Sequence, residues 1–403
     1  MCFALTTLLA FIHVVEPLKA SDPPLLPFNN PGDLLALDHG CGCVLRVSPD
    51  RVVSVQLTQG QIRNMAQVGE VCFEAGGLAF DFDGALYFVE GENQILKQSI
   101  DGTLERLARS DFLISAQPGA GAVRIANIVV ESDGFVYATD SENDSLLRVD
   151  PKKGSVSLVA NRSDLFNALG SGVNLEGLVA GEHGTLFAFS RQPPSMFSVK
   201  TPDGPIQLLA GGSSLASPGG FATRVPNQDL IVSDKADGKG VHRLFAVTRG
   251  GQASVFLSGE MIAAAVPGLS AEDVNLEGGI AFNNEGILFI TESASDNILK
   301  FDCATGEVLI WATPAELEEA SGEDPDLRAG IAFASRGQIA GPFMPSISDD
   351  PESRHARIDS RPHDGIPGAG DETLILTREQ NTMAGSTRPK TSRWKWIKPR
   401  VNT

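Results

Sequence analysis

The sequence predicts an all-β fold, a six-bladed β-propeller of four-stranded blades closed by a C-terminal strand that completes the N-terminal blade. Three observations predict it. Short apolar bursts come in groups of four, and the groups recur at intervals of about fifty residues. The first group lacks its opening burst, while an isolated opening burst stands at the far end of the array. One four-stranded sheet cannot bury both faces alone, so such units are stable only when packed side by side.

The opening strands are predicted at Gly77–Phe80, Asn127–Val130, Gly177–Ala180, Gly220–Thr223, Gly279–Phe282 and Gly330–Phe333. The second strands fall at Leu34–Leu37, Leu86–Val89, Val136–Thr139, Leu186–Phe189, Leu230–Ser233 and Leu288–Thr291. Tight-turn pairs precede most of these, as in Asp83-Gly84, Asp133-Gly134, His183-Gly184 and Glu285-Gly286, which is hairpin chemistry. The third strands are Val44–Val47, Ile95–Lys97, Leu146–Val149, Met196–Val199, Val241–Val247 and Ile298–Phe301. The fourth are Val52–Val55, Leu104–Leu107, Val156–Val159, Ile206–Leu209, Val255–Leu257 and Val308–Trp311.

Linkers such as "TQGQIRNMA", "ARSDFLISA", "NRSDLFNAL", "LSGEMIAAA" and "ATPAELEEA" join each fourth strand to the next opening strand. A Ser or Thr ahead of an acid or Gln, then a small apolar run, predicts an N-capped short helix in each. The linker "AGGSSLASPGG" lacks the pattern. The helices are expected to decorate one face of the ring.

The array is expected to span residues 21–340. Residues 1–20, within "MCFALTTLLAFIHVVEPLKASDPP", contain an apolar run of signal-peptide length, too short for a membrane span. The basic n-region is missing and Glu16 intrudes, so a misassigned start codon is the alternative to a secreted or periplasmic protein. Residues 341–403 have no periodicity and many turn formers, and are expected to be disordered. Their basic end, "RPKTSRWKWIKPR", reads as a solvated tail or as a contact for anionic lipid or polymer.

The net charge of −18 excludes a nucleic-acid partner, which requires a basic face. No segment outside the N-terminus is long and apolar enough for a membrane span, and a monomer is expected. Excluding Cys2, the cysteines are Cys41, Cys43, Cys72 and Cys303. A bridge from Cys72 to Cys41 or Cys43 is available after export, whereas "CGC" makes no structural zinc site without two further ligands.

An opening strand and its second strand form a hairpin, so residues just before the one and just after the other share the linker face, around the central channel. Glu176, Glu277 and Asn127 belong to the first group, with Arg328 at the matching place of the closing blade. Asp38, Glu90, Asp140, Asp234 and Glu292 belong to the second, and His39 is the only histidine expected there. Carboxylates and an amide from separate blades suit a hard divalent cation such as Ca2+, with Glu176, Glu277, Asn127 and Asp234 as ligands. Such an ion polarises an ester or lactone carbonyl, with His39 or Asp38 as general base. For the acids that end second strands, repetition favours a structural role instead, accepting backbone N–H groups of the following loop.

"GFVYATDSENDSLLRVDPKKG" and "GILFITESASDNILKFDCATG" resemble the NHL-repeat pattern, over about residues 31–340. The chain is also similar to the senescence-marker-protein/gluconolactonase family and related calcium-dependent lactonases and esterases. That resemblance implies a divalent metal over the channel, held by Glu, Asn or Asp just before an opening strand. Glu176-Gly177-Leu178 fits the placement and Glu277-Gly278-Gly279 nearly does; Asn127-Ile128 lacks the small residue, and Pro218-Gly219-Gly220 replaces an acid. The alternative is a non-catalytic interaction or accessory scaffold that binds a protein, polymer or hydrophobic small molecule.

Overall fold

A computed structural model describes residues 32–334 except 74–76, 182–183, 202–203, 212–217, 225–228, 236–241, 249, 277 and 284, together with 376–379 and 393–396. The expected signal peptide lies outside the described residues, as does most of the tail.

Six four-stranded antiparallel sheets are present. Blade one supplies β1 (Leu34–Asp38), β2 (Cys43–Val47) and β3 (Val53–Leu57), followed by helix α1 (Gln59–Ala66). Blade two holds β4 (Leu78–Phe80), β5 (Leu86–Glu90), β6 (Gln94–Gln98) and β7 (Leu104–Ala108), then α2 (Ser110–Ser115). In blade three, β8 (Ile125–Val130), β9 (Val136–Asp140), β10 (Ser145–Val149) and β11 (Val156–Ala160) precede α3 (Arg162–Leu169). Blade four runs β12 (Leu175–Ala180), β13 (Thr185–Ser190), β14 (Ser195–Lys200) and β15 (Ile206–Gly211). Blade five has β16 (Pro218–Arg224), β17 (Leu230–Lys235), β18 (His242–Val247) and β19 (Ala253–Leu257), then α4 (Gly259–Ala265). Blade six comprises β20 (Ile280–Phe282), β21 (Ile287–Glu292), β22 (Asn297–Asp302) and β23 (Glu307–Ala312), then α5 (Pro314–Ser321). Strand β24 (Ile331–Phe333) pairs with β1 and completes blade one. In the tail, β25 (Leu376–Glu379) and β26 (Arg393–Trp396) pair with each other.

The ring is closed by packing as well as by pairing. Each opening strand touches those of the two neighbouring blades, β24 of blade one meeting β20 on one side and β4 on the other. Six apolar clusters fill the six gaps between adjacent blades. The cluster at the seam joins Leu34, Ala36 and Leu45 of blade one to Phe289, Ile298 and Leu317 of blade six. Burying one such Leu, Ile or Phe side chain is worth about 1.5–3 kcal/mol, so closure rests on side chains that no blade could bury alone.

Local chemistry places the turns and helices. Gly84, Gly134 and Gly286 all have positive φ in the hairpins that lead into the second strands, a conformation that disfavours residues with a Cβ. Thr58, Asn161 and Thr313 form capping boxes with Gln61, Asp164 and Glu316, and Ser258 caps Met261. Helix α2 differs from expectation. Its N-cap position is Arg109, which provides no side-chain cap, because β7 ends at Ala108, one residue too early for Ser110 to occupy that position.

Candidate functional site

The acids that end the second strands belong to a clamp repeated around the ring. In blades one, two, three, four and six the residue at the end of the second strand accepts the N–H of a residue leading into the opening strand of the same blade. The residue after it donates its own N–H back to that partner's carbonyl. In blade one, Asp38 Oδ1 accepts from Asp326 at 2.9 Å and His39 donates to Asp326 at 3.0 Å. In blade three, Asp140 Oδ1 accepts from Arg124 at 2.9 Å and Ser141 donates back at 2.8 Å. Ser190 does the same in blade four with Asn174, and Glu292 in blade six with Asn275. Glu90 and Gly91 clamp Cys72 in blade two.

These side chains are spent on backbone. Asp140 Oδ2 also accepts from Gln117 at 2.8 Å and Asn143 at 2.7 Å, and Glu292 takes the N–H groups of Ala294 and Ser295. Burial pushes the Asp38 carboxyl above its usual range, while the N–H groups of Asp326, Gly40 and Cys41 pull it down. Asp234 is buried at the end of β17.

Among the described residues, a second clamp ties blades one to two, two to three, three to four, five to six and six to one. His39 Nδ1 accepts the N–H of Phe73 at 3.3 Å, and His242 Nδ1 accepts that of Leu276 at 2.8 Å. Asp144 accepts from Leu175, and Asp296 Oδ1 from Leu327 at 2.9 Å. Between blades two and three the acceptor is the Glu92 carbonyl, 2.6 Å from Ile125 N. The donors are all buried apolar residues leading into an opening strand. His39 is therefore not the only histidine of this face, because His242 performs the same task from β18. His183 lies outside the described residues.

Asp144 and Asp296 went unnoticed as site residues in the sequence. Both stand just before third strands with φ of +48° and +49°, a conformation Asp tolerates better than most side chains. Their recurrence in "ENDS" and "SDN" was the available signal. Asp296 is pushed up to about 6, first by burial and then by the nearby carboxylates of Asp326, Asp38 and Asp324.

Glu176 and Asn127 depart from this repeat. Both lie where the pairing of an opening strand shifts register, in β12 and β8, and a bulge commonly re-aims a side chain. The pairing sets Asn127 opposite Thr139 and leaves Ala126, rather than Asn127, as the counterpart of Glu176. The two backbones nonetheless meet across blades three and four. The Thr139 hydroxyl donates to the Glu176 carbonyl at 3.2 Å and stands 3.5 Å from that of Asn127. Glu176 Oε1 is 3.7 Å from Arg191 Nε, with the glutamate side chain 20% exposed. Asn127 is buried. Arg328 pairs with Asp326 through one guanidinium edge, Nε to Oδ1 at 2.7 Å and Nη2 to Oδ2 at 2.6 Å. Glu277 lies outside the described residues.

The cysteine pairing differs from expectation. Cys41 is bonded to Cys43, and Cys72 lies outside the bridge. The β1–β2 hairpin explains this, since it sets Asp38 opposite Cys43 and leaves the Cys41–Gly42 turn between them, with Gly42 at φ +59°.

Comparison with solved structures gives the same architecture. Nidogen, in its complex with laminin, superposes with a TM-score of 0.51 at 16% identity, over 75% of this chain and 98% of that one. The likeness is one of fold. Virginiamycin B lyase from Staphylococcus aureus gives 0.48 at 13% identity, over 72% and 84% of the two chains. A gluconolactonase from Xanthomonas campestris gives 0.44 at 15% identity, over 69% and 97%. No protein-family model and no curated protein matches the sequence. Among the described residues no helix is long and apolar enough to cross a membrane.

Proposed function

We infer that this chain is a ligand-binding propeller, holding a divalent cation or a small polar molecule at the channel mouth without a base of its own for hydrolysis. The observation that carries this reading is the contrast between two sets of polar residues. Asp38 is fully buried and accepts backbone N–H groups, and His39 Nδ1 is occupied by the Phe73 N–H. His39 Nδ1 cannot take a proton without breaking that clamp, and Asp38, fully buried, is shielded from the water it would have to deprotonate. Glu176 sits on a bulge, partly exposed, beside the Asn127 backbone of the neighbouring blade. Two oxygen-bearing side chains, with Glu277 as a third from blade six, suit a calcium-like ion that also keeps water ligands. The Cys41–Cys43 disulfide supports export to an oxidising compartment.

Calcium titration followed by thermal unfolding tests the reading. Wild-type protein is expected to gain several degrees at saturating calcium, and Glu176→Gln to lose at least tenfold in affinity. A melting point indifferent to calcium removes the cation. Lactone or aryl-ester turnover abolished by His39→Ala restores the hydrolase.

One observation favours a second reading, a protein or polymer partner on the helix-bearing face. Phe112, Phe166 and Met261, on α2, α3 and α4, are 46%, 52% and 39% exposed. Serine at all three should leave the fold intact and abolish any complex that forms there.

A further inference from the structure

Asp38, Cys41 and Cys43 form a donor set of a different kind from the channel mouth. Among the described residues they are the one group of three His, Cys, Asp or Glu side chains whose ligand atoms all lie within 4.8 Å of one another. Asp38 is 0% exposed, Cys43 4% and Cys41 8%. The carboxylate is satisfied on one side only. Oδ1 accepts the N–H groups of Gly40 and Asp326, both at 2.9 Å, whereas Oδ2 is buried with no hydrogen-bond partner. A ligating carboxylate needs this division, with one oxygen fixed from behind by donors and the other open toward the metal.

We propose that reduction of the Cys41–Cys43 bridge turns this hairpin into a zinc site. Its ligands are the two thiolates and Asp38 Oδ2, with water in the fourth position. Donors bound at about 2.0–2.3 Å around one tetrahedral zinc stand roughly 3.3–3.8 Å apart, so the two sulfurs, bonded in the oxidised protein, must separate on reduction, while all three donors start within 4.8 Å of one another. Rotation about the two Cys side-chain bonds supplies the rest while the β1–β2 pairing stays in place. Two soft thiolates select zinc over calcium, which takes oxygen ligands.

The exchange balances. Two equivalents of a small thiol reduce the S–S bond, giving two Cys thiols and one thiol-derived disulfide. Zinc then displaces the two thiol protons. Reoxidation by a disulfide oxidant re-forms the bridge and expels the metal. Because Asp38 also clamps Asp326 where the ring closes, the metal state of the turn and the closing blade share one side chain. The inference does not depend on a ligand at the channel mouth.

The test uses full-length protein reduced with a phosphine and titrated with Co2+ as a spectroscopic stand-in for zinc. Reduced wild type is expected to bind one cobalt with a thiolate-to-metal charge-transfer absorption that one equivalent of zinc abolishes. Oxidised protein should show none. Cys41→Ser/Cys43→Ser should lose the absorption, and reduced wild type alkylated at its thiols provides the same control should that variant not fold. Asp38→Asn keeps an oxygen for both N–H groups and is expected to bind at least tenfold more weakly. The proposal fails if reduced wild type shows no charge-transfer absorption, if the double variant retains it, or if Asp38→Asn binds as tightly as wild type.

Discussion

Asp140 and Glu176 lie on the same face of the propeller, in adjacent blades, and the structure uses them in opposite ways. Asp140 has counterparts in blades one, two, four and six, each closing a clamp between the end of a second strand and the lead-in to an opening strand. Its two oxygens are filled by four donors from Arg124, Glu142, Gln117 and Asn143. Glu176 has no counterpart in the neighbouring blade, where Ala126 holds its register position. Its Oε1 lies 3.7 Å from Nε of the partly exposed Arg191. Acids that recur at one register position serve the unit, and Glu176 lies outside that repeat.

The largest effect should come from breaking a clamp. Asp140→Ala removes the acceptor from four donors at once and leaves them facing a buried gap, an expected loss of about 3–5 kcal/mol in urea unfolding. Asp140→Asn, which keeps one acceptor oxygen, should cost about half as much. If Asp140→Ala cost under about 1 kcal/mol, the clamp would be incidental to stability.

Next in size is the charge at the seam between blades six and one. Asp296 lies near the carboxylates of Asp326, Asp38 and Asp324 and is pushed up to about 6. A folded-state value above the unfolded one means that the folded protein binds the proton more tightly. The stability this contributes is complete below about pH 4 and is lost as pH rises through about 6. Asp296→Asn keeps an oxygen for the Leu327 N–H and suits the positive φ. It should therefore stabilise the protein by about 1 kcal/mol at pH 7.5, allowing for solvent screening. At pH 4 it should be neutral. Unfolding at the two pH values checks both signs.

The smallest effect on folding is expected at Glu176. Its ion pair with Arg191 is loose and partly solvated, so Glu176→Gln should change stability by under about 0.5 kcal/mol while removing the calcium response. A variant that destabilised as Asp140→Ala does would place Glu176 with the clamps.

Much of the fold was legible because period and turn chemistry repeat. Gly84, Gly134 and Gly286 stand where hairpins need positive φ, and the missing opening strand of blade one announced the closure by β24. The structural role of Asp38, Asp140 and Glu292 was legible for the same reason. Their partners were not, since Asp326 and Asp38 are far apart in the chain and only ring closure brings them together. Nor did spacing reveal the acceptors that tie one blade to the next, because three kinds of group do that work: the imidazoles of His39 and His242, the Glu92 carbonyl, and the carboxylates of Asp144 and Asp296. That Asn127 and Glu176 hold different register positions was hidden for a related cause, a bulge that shifts pairing without changing the apolar pattern. The Cys41–Cys43 bridge required knowing that Cys41 lies in the β1–β2 turn and Cys43 opens β2.

Electron density from crystals soaked in calcium tests the distinction between clamp and ligand most directly. The account predicts an ion about 2.3–2.6 Å from an oxygen of Glu176, with the Asp38, Asp140 and Glu292 carboxylates still on their backbone donors. An ion seated on those three acids instead, or density showing only the Glu176–Arg191 pair at saturating calcium, would contradict it.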